Sequence, residues 1–296
     1  MAKKINIALI GYGYWGKIVE KYLIQNTKYN LIVVHKNKEE DLSYIANNND
    51  IEAVYIATPI STHYELVTFF LNANKHILCE KPLSTSLSEV KELEDLSKQH
   101  NKIIETNYIY LVSDSIKQLK NLLLEVGNIN YIKGSITQFD KLKKGEDVLS
   151  VLGCHFFAVL FFLFDDKNYS SSITNYTKNS NGDINRANAS CDFKEFICDL
   201  YFSLSDLEKE RKLTIYGSAG ILQFNMMNDK TLILQRINSD ETIGEKIEYS
   251  FDESNNINKS LDKFLENITN NRCNLNISKS VTAVLNKLEQ DVKKSR

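Results

Sequence analysis

The sequence predicts an α/β protein in two parts. Residues 1–112 read as a doubly wound parallel sheet, and 113–296 as an α/β domain with a large, mostly antiparallel open sheet. Three observations carry this. From residue 4 to about 108, short apolar runs alternate with helical patterns, the βαβ signature of a parallel sheet. A glycine-rich turn, Gly11-Tyr12-Gly13-Tyr14-Trp15-Gly16, separates the first strand from the first helix. Beyond about residue 124 the alternation gives way to β-prone segments, several with period two.

Lys4 to Ile10 is β-prone and Lys17 to Leu23 has helical spacing, which places strand Ile5–Ile10 and helix Trp15–Leu23 on either side of the glycines. Strand Asn30–His35, a helix near Leu42–Ala46, strand Ala53–Ala57, helix His63–Asn72, strand His76–Cys79, helix Leu87–Gln99 and strand Ile103–Asn107 complete the first sheet. A helix around Asp114–Leu124 leads to strands expected at Ile129–Phe139, Phe193–Leu204, Arg211–Tyr216, Gly220–Asn225 and Thr231–Ile237. The apolar stretch Leu149–Phe164 reads as a helix covering one sheet face. Ile257–Thr269 and Ser278–Lys293 read as closing amphipathic helices, the last able to pack back on the first domain.

With 296 residues, 43% hydrophobic and 25% charged, the composition is that of a soluble globular protein of two domains. A net charge of −2 without a lysine-rich stripe argues against a nucleic-acid partner. Cys79, Cys154, Cys191, Cys198 and Cys273 are scattered, odd in number and form no CxxC pair, which fits neither a disulfide framework nor a zinc site. Met1-Ala2-Lys3-Lys4 runs into the first strand without a signal-peptide pattern, so the expected compartment is a reducing cytoplasm. Val148–Phe164 is short for a bilayer, holds His155 and is flanked by Asp147 and Asp165-Asp166; a buried helix is expected there, not a membrane span.

Each glycine of the turn has its own physical reason. The first allows a tight turn, the second lets backbone approach a pyrophosphate, and the third lets helix pack closely on strand. The helix N-terminus then faces the phosphates. Three glycines in six residues also make ordinary loops, and it is the strand-to-helix setting that points to a dinucleotide. The two prolines of the chain follow expected strand ends, in Ala57-Thr58-Pro59 and Glu80-Lys81-Pro82. Ligands in such sheets bind beyond the carboxyl ends of the strands, so Gly11, Thr58-Pro59 and Glu80-Lys81-Pro82 converge on one crevice. At the end of the second strand, His35-Lys36-Asn37-Lys38 offers no acid to the ribose hydroxyls before Glu39. His35, Lys36 and Lys38 could receive a 2′-phosphate, a lean toward NADP over NAD; on the plainer reading the lysines are solvated surface charge.

These residues, with Ser61-Thr62-His63, Gly153-Cys154-His155 and Ile215-Tyr216-Gly217-Ser218-Ala219-Gly220, resemble the Gfo/Idh/MocA oxidoreductase family over nearly the whole chain. The Tyr14-Trp15 form of the turn and the run Asp147–Phe164 look most like the subgroup acting on nucleotide-linked sugars in surface-polysaccharide and amino-sugar pathways. The resemblance implies a Rossmann domain binding NADP or NAD, and a second domain whose open sheet builds a homodimer or homotetramer. It makes Lys81 the residue that contacts cofactor and reacting sugar oxygen, and His155 the general acid/base. It also puts Tyr14, Trp15 and His63 against the cofactor. From the residues alone, Tyr14 and Trp15 can equally pack under the first helix, His63 can be an exposed helix-start residue, and His155 a core histidine. Two positions depart from the family pattern: Val151 stands where an aspartate is common, one helical turn before His155, and Phe156 where the subgroup often has an acid.

Hydride transfer at a ring carbon requires an alcohol proton to leave or arrive, and histidine's ordinary pKa near 6.5 suits that exchange. Lys81 would hold the charge developing on oxygen. The pairs Asp165-Asp166 and Glu39-Glu40 read as solvated helix ends, and no metal is expected. The expected activity is a hydroxyl/ketone interconversion on a sugar ring. A cofactor-binding sensor without turnover, or an imine or other carbonyl reductase on the same scaffold, are the alternatives.

Overall fold

The structure, a computed structural model, describes residues 4–36, 39–142, 146–164, 169–227, 231–252 and 255–294, with backbone alone at 39–41. Lys38, Asp165-Asp166 and the side chains of Glu39-Glu40 therefore lie outside the described residues. The chain divides into two compact units, Met1–Ile109 with Asn255–Thr282, and Tyr110–Ser254 with Ala283–Arg296.

The first unit alternates β1 (Ile5–Ile10), α1 (Tyr14–Gln25), β2 (Tyr29–His35), α2 (Glu39–Asn47), β3 (Ala53–Ile56), α3 (His63–Asn72), β4 (His76–Glu80), α4 (Leu87–His100) and β5 (Ile104–Asn107). Its five strands are parallel, in the order β2-β1-β3-β4-β5. The order reverses direction between β1 and β3, so the loops leaving these two strands flank a topological switch point. Both sheet faces are covered. Val67, Phe70 and Leu93 pack on one side with Ala8, Ile10 and Val54, and Val19 and Leu23 on the other with Ile7, Leu9 and Tyr55.

The sequence boundary after residue 112 leaves 255–282 in the second domain, whereas this segment is part of the first unit. Helix α7 (Asn256–Thr269) lays Ile257, Leu261 and Phe264 onto the cluster of Ile7, Leu9 and Val19. Tyr29 fixes it by donating its hydroxyl to the Leu261 carbonyl at 2.6 Å.

The second unit holds α5 (Asp114–Leu122), β6 (Ile129–Phe139), α6 (Cys154–Phe164), β7 (Ser170–Lys178), β8 (Ile184–Asp192), β9 (Ile197–Ser203), β10 (Ser205–Gly217), β11 (Gly220–Asn225), β12 (Thr231–Ile237) and β13 (Ile243–Ser250). The eight strands run β13-β12-β11-β10-β6-β9-β8-β7, antiparallel except for the β6–β9 pair. Three of them, β7, β8 and β13, are absent from the sequence reading. β7 and β13 are the two edges and bury no residue fully, so they lack the apolar period that marks a strand. The expected strand Phe193–Leu204 starts later, at Ile197, because Phe193 and Phe196 close a turn through the Phe193 N–H on the Phe196 carbonyl. No helix among the described residues is long and apolar enough to cross a membrane.

His76, on β4, accepts the Ile103 N–H on Nδ1 at 3.1 Å, and its burial pushes the ring down to about 4. The unfolded ring binds a proton below about pH 6.5, the folded one only near 4, so stability falls as pH drops through that window. Thermal melts at pH 7.5 and 5.0 should show a larger loss for the wild type than for His76→Gln; equal losses would remove His76 from the linkage.

Candidate active site

In the first unit the glycine turn becomes three different constraints. Gly11 has φ +93°, and a Cβ there would stand 2.8 Å from the Ala57 carbonyl carbon and oxygen, so only glycine joins β1 to the turn. At Gly16 a Cβ would lie 2.1 Å from the Gly11 carbonyl oxygen; its absence seats α1 on the turn. A Cβ on Gly13 meets nothing within 4 Å. Gly13 is the N-cap of α1, makes no side-chain cap, and no acid occupies the first turn. The helix thus opens with no side-chain cap and with open space beside Gly13, a cradle that could hold a pyrophosphate.

Around this turn the first-unit residues expected at the site take distinct places. Tyr14 is 85% exposed, while Trp15 is half-buried and donates its indole Nε1–H to Glu80 Oε1. The same oxygen accepts the Tyr55 hydroxyl at 2.6 Å and Asn107 Nδ2 at 2.7 Å. Asn107 also donates to the Tyr55 hydroxyl at 2.8 Å and accepts Ser260 Oγ at 2.7 Å. Burial and the adjacent carboxylate push the Tyr55 phenol far up, so it stays a donor. Glu80 is therefore held by α1, β3 and β5 together, and half-buried Lys81 follows it, joined to Pro82 by a cis peptide bond. Sequence reading finds Glu80 through its tripeptide but not Tyr55, Asn107 or Ser260, which carry no motif.

His63 is 1% exposed, not a solvated helix-start residue. Its ring nitrogens lie 2.8 Å from the Pro82 carbonyl oxygen and 3.0 Å from that of Thr58, so it braces the loops after β3 and β4. Burial lowers its pKa, and the neutral ring donates to one carbonyl at a time. Thr58 accepts the Thr62 hydroxyl at 2.7 Å, and Pro59 leads the chain into a 3-10 turn, Ile60–Thr62. Beyond β2, His35 is 7% exposed and its carbonyl accepts the Gly11 N–H at 3.3 Å, while Lys36 is exposed with its ammonium 4.3 Å from the Tyr12 ring centroid.

In the second unit, the stretch expected as one helix is a π-helical turn, Leu149–Gly153, followed by α6. His155 thus stands in the first turn of α6, half-buried, just after an irregularity of the kind frequent at functional sites. Phe156 is fully buried over Gly134, where a Cβ would lie 2.1 Å from its ring, and meets Phe202 edge-on. Asp147 caps the π turn by accepting the Ser150 N–H at 2.7 Å, and burial raises its pKa. The His155 ring meets Tyr110 edge to face, 5.2 Å between centroids. The Tyr110 hydroxyl accepts Arg211 Nε–H at 3.0 Å, and Arg211 Nη2 donates to Gln138 Oε1 at 2.8 Å. Sequence reading misses Tyr110, Gln138 and Arg211; the β6–β10 pairing brings Gln138 and Arg211 together, and Arg211 joins Tyr110 through its Nε.

The model of an oxidoreductase family with an NAD-binding Rossmann fold, GFO_IDH_MocA, matches residues 30–108, from β2 to just past β5. Residues 30–108 include Thr58-Pro59, His63 and Glu80-Lys81-Pro82 and exclude the glycine turn. The chain is 30% identical over 99 residues to scyllo-inositol 2-dehydrogenase (NADP(+)) IolU of Bacillus subtilis, covering 33% of this chain and 30% of that protein. It is 35% identical over 82 residues to the dTDP-3,4-didehydro-2,6-dideoxy-alpha-D-glucose 3-reductase of Saccharopolyspora spinosa, 27% of this chain and 25% of that enzyme. The chain spans less than half the length of the curated relatives it matches. KijD10, a 3-ketoreductase from Actinomadura kijaniata crystallised with NADP and TDP-benzene, shares the fold at a TM-score of 0.84 and 15% identity, with 98% of each chain covered. The likeness to the Gfo/Idh/MocA oxidoreductase family thus rests on the NAD-binding unit, over residues 30–108.

Proposed function

We propose that this oxidoreductase transfers a hydride between a nicotinamide cofactor and a ring carbon of a sugar, a nucleotide-linked sugar of the kind used in surface-polysaccharide or amino-sugar synthesis. The observation that carries this is the Gly13 turn that opens α1 together with Lys81 at the carboxyl end of β4, next to a carboxylate held by three elements. Support for the substrate class comes from the sugar-nucleotide reductase and the TDP-bound ketoreductase among the relatives. The cofactor would be held by Gly11, Gly13, Tyr14, Trp15 and Gly16 at the phosphates, and by Thr58, Pro59, Glu80, Lys81 and Pro82 beyond β3 and β4, with buried His63 bracing these two loops. His35 and Lys36 lie where the adenosine ribose is read, and with no acid at the end of β2 they favour NADP.

When bound, the nicotinamide supplies or accepts the hydride. Lys81 donates a hydrogen bond to the reacting oxygen and stabilises the negative charge that develops there. His155 exchanges the alcohol proton; its partial exposure and its place at the start of α6 suit that role better than a core position. Asp147 caps the π turn and position 151 carries no acid, so no carboxylate stands one helical turn before this histidine, whose ring lies edge to face with Tyr110. The same departures keep open a second reading, a cofactor-binding sensor without turnover. A cytoplasmic homodimer or homotetramer formed through the second sheet's outer face completes the proposal, and light scattering checks its size.

Trp15 is the only tryptophan in the sequence, so its quenching reports nicotinamide binding beside α1. Gly13→Ala should melt like the wild type yet bind NADPH roughly tenfold or more weakly, because its methyl occupies the cradle without touching protein. Gly16→Ala should lower stability by about 1–3 kcal/mol, since its methyl strikes backbone. Unchanged NADPH affinity in the Gly13 variant would overturn the cradle.

Lys81→Met should fold and bind NADPH but lose roughly 10²-fold or more in kcat on a nucleotide-linked ketosugar. A wild-type rate would remove Lys81 from the mechanism. Cofactor binding without turnover by the wild type on any ketosugar tested would favour the sensor.

A further inference from the structure

Arg211 is a fixed positive charge in the second unit whose hydrogen-bond partners among the described residues are neutral. Nε donates to the Tyr110 hydroxyl at 3.0 Å and Nη2 to Gln138 Oε1 at 2.8 Å, while Nη1 is buried without a hydrogen-bond partner. A guanidinium stays protonated at every physiological pH, and withdrawing it from water without a counter-charge is costly. An unmet guanidinium donor of this kind suits an anionic ligand.

The surroundings indicate what that is. Arg211 pairs in register with Ile136, a fully buried residue of β6, and Gln138 lies two residues further along the same strand face. Tyr110 bridges this cluster to the proposed acid/base, with its hydroxyl on Arg211 and its ring against His155. Arg211 is therefore linked to His155 through a single side chain. We infer that Arg211 grips an oxyanion carried by the substrate, through Nη1, with Tyr110 and Gln138 holding its fork in place. This rests on the reading of His155 as part of the reacting centre, and it adds the requirement that the substrate be anionic close to the carbon that reacts. Sugar carboxylates and the diphosphate of a nucleotide-linked sugar share this chemistry. A charge-assisted contact of this kind is stronger than a neutral hydrogen bond, which suits it to selecting substrates.

The test is titration calorimetry of the wild type and Arg211→Gln with thymidine diphosphate, with glucuronate and with neutral glucose, each with and without NADP. The expected result is that one of the two anions binds the wild type, roughly tenfold or more weakly in the variant, while NADP affinity is the same in both. Weakening of thymidine diphosphate alone assigns the oxyanion to a diphosphate, and weakening of glucuronate alone assigns it to a sugar carboxylate. Equal anion affinity in wild type and variant, or no anion binding by the wild type, overturns the inference. Loss of NADP binding by the wild type overturns the proposed function instead and leaves the anion comparison readable. If Arg211→Gln melts at a markedly lower temperature, Arg211→Lys, which keeps the charge but loses the fork, should still weaken the same anion.

Discussion

The first unit depends on one carboxylate. Glu80 ends β4, and its Oε1 collects the Trp15 indole, the Tyr55 hydroxyl and the Asn107 amide. A charge removed from water is costly unless it is hydrogen-bonded, so these donors are what allow an acid to stand at the heart of the sheet's carboxyl end. They come from α1, β3 and β5, and Asn107 is itself held by Ser260 of α7. The carboxylate thus ties together the helix that opens the cradle, the two strands around β4 and the segment returning from the far end of the chain. Lys81 inherits its position from that arrangement, and His63 fixes the following residue through the Pro82 carbonyl.

In the second unit the corresponding constraint is steric. Gly134 on β6 leaves space that the Phe156 ring fills, and Phe202 closes on the same ring. Large rings interdigitated with a glycine hold α6 at one rotation relative to the sheet. That rotation sends residue 156 inward and leaves its neighbour, His155, at the half-buried margin with Tyr110. Phe156 is therefore a packing residue. The π turn before it, capped by Asp147 and Ser150 reciprocally, sets where α6 begins.

What was legible in the sequence follows from how local each signal is. The parallel sheet was readable strand by strand because its inner strands are buried on both faces and separated by amphipathic helices. The glycine turn and both prolines were readable because backbone geometry restricts residue choice within a few positions. The edge strands were not, since an exposed strand such as Ser170–Lys178 needs no apolar period to be held by its neighbour. Asn107, Tyr110 and Arg211 were not either. Each is an ordinary polar residue whose significance lies in a pairing between segments far apart in the chain, such as 110 with 211 or 55 with 107.

The histidines separate two kinds of evidence that sequence alone merges. His63 and His155 both follow short motifs, and both could be read as structural or chemical. In the fold, His63 is sealed, with each ring nitrogen facing a carbonyl, so its work is to join the loops after β3 and β4. His155 is half-buried, placed by an irregular helical turn, and bordered by a tyrosine that also holds a cation with a donor to spare. A group meant to exchange a proton needs access and an oriented ring, and a group meant to brace a loop needs neither. The difference in burial between two residues of one type is therefore the physical ground on which the acid/base role is proposed for His155 and a positioning role for His63.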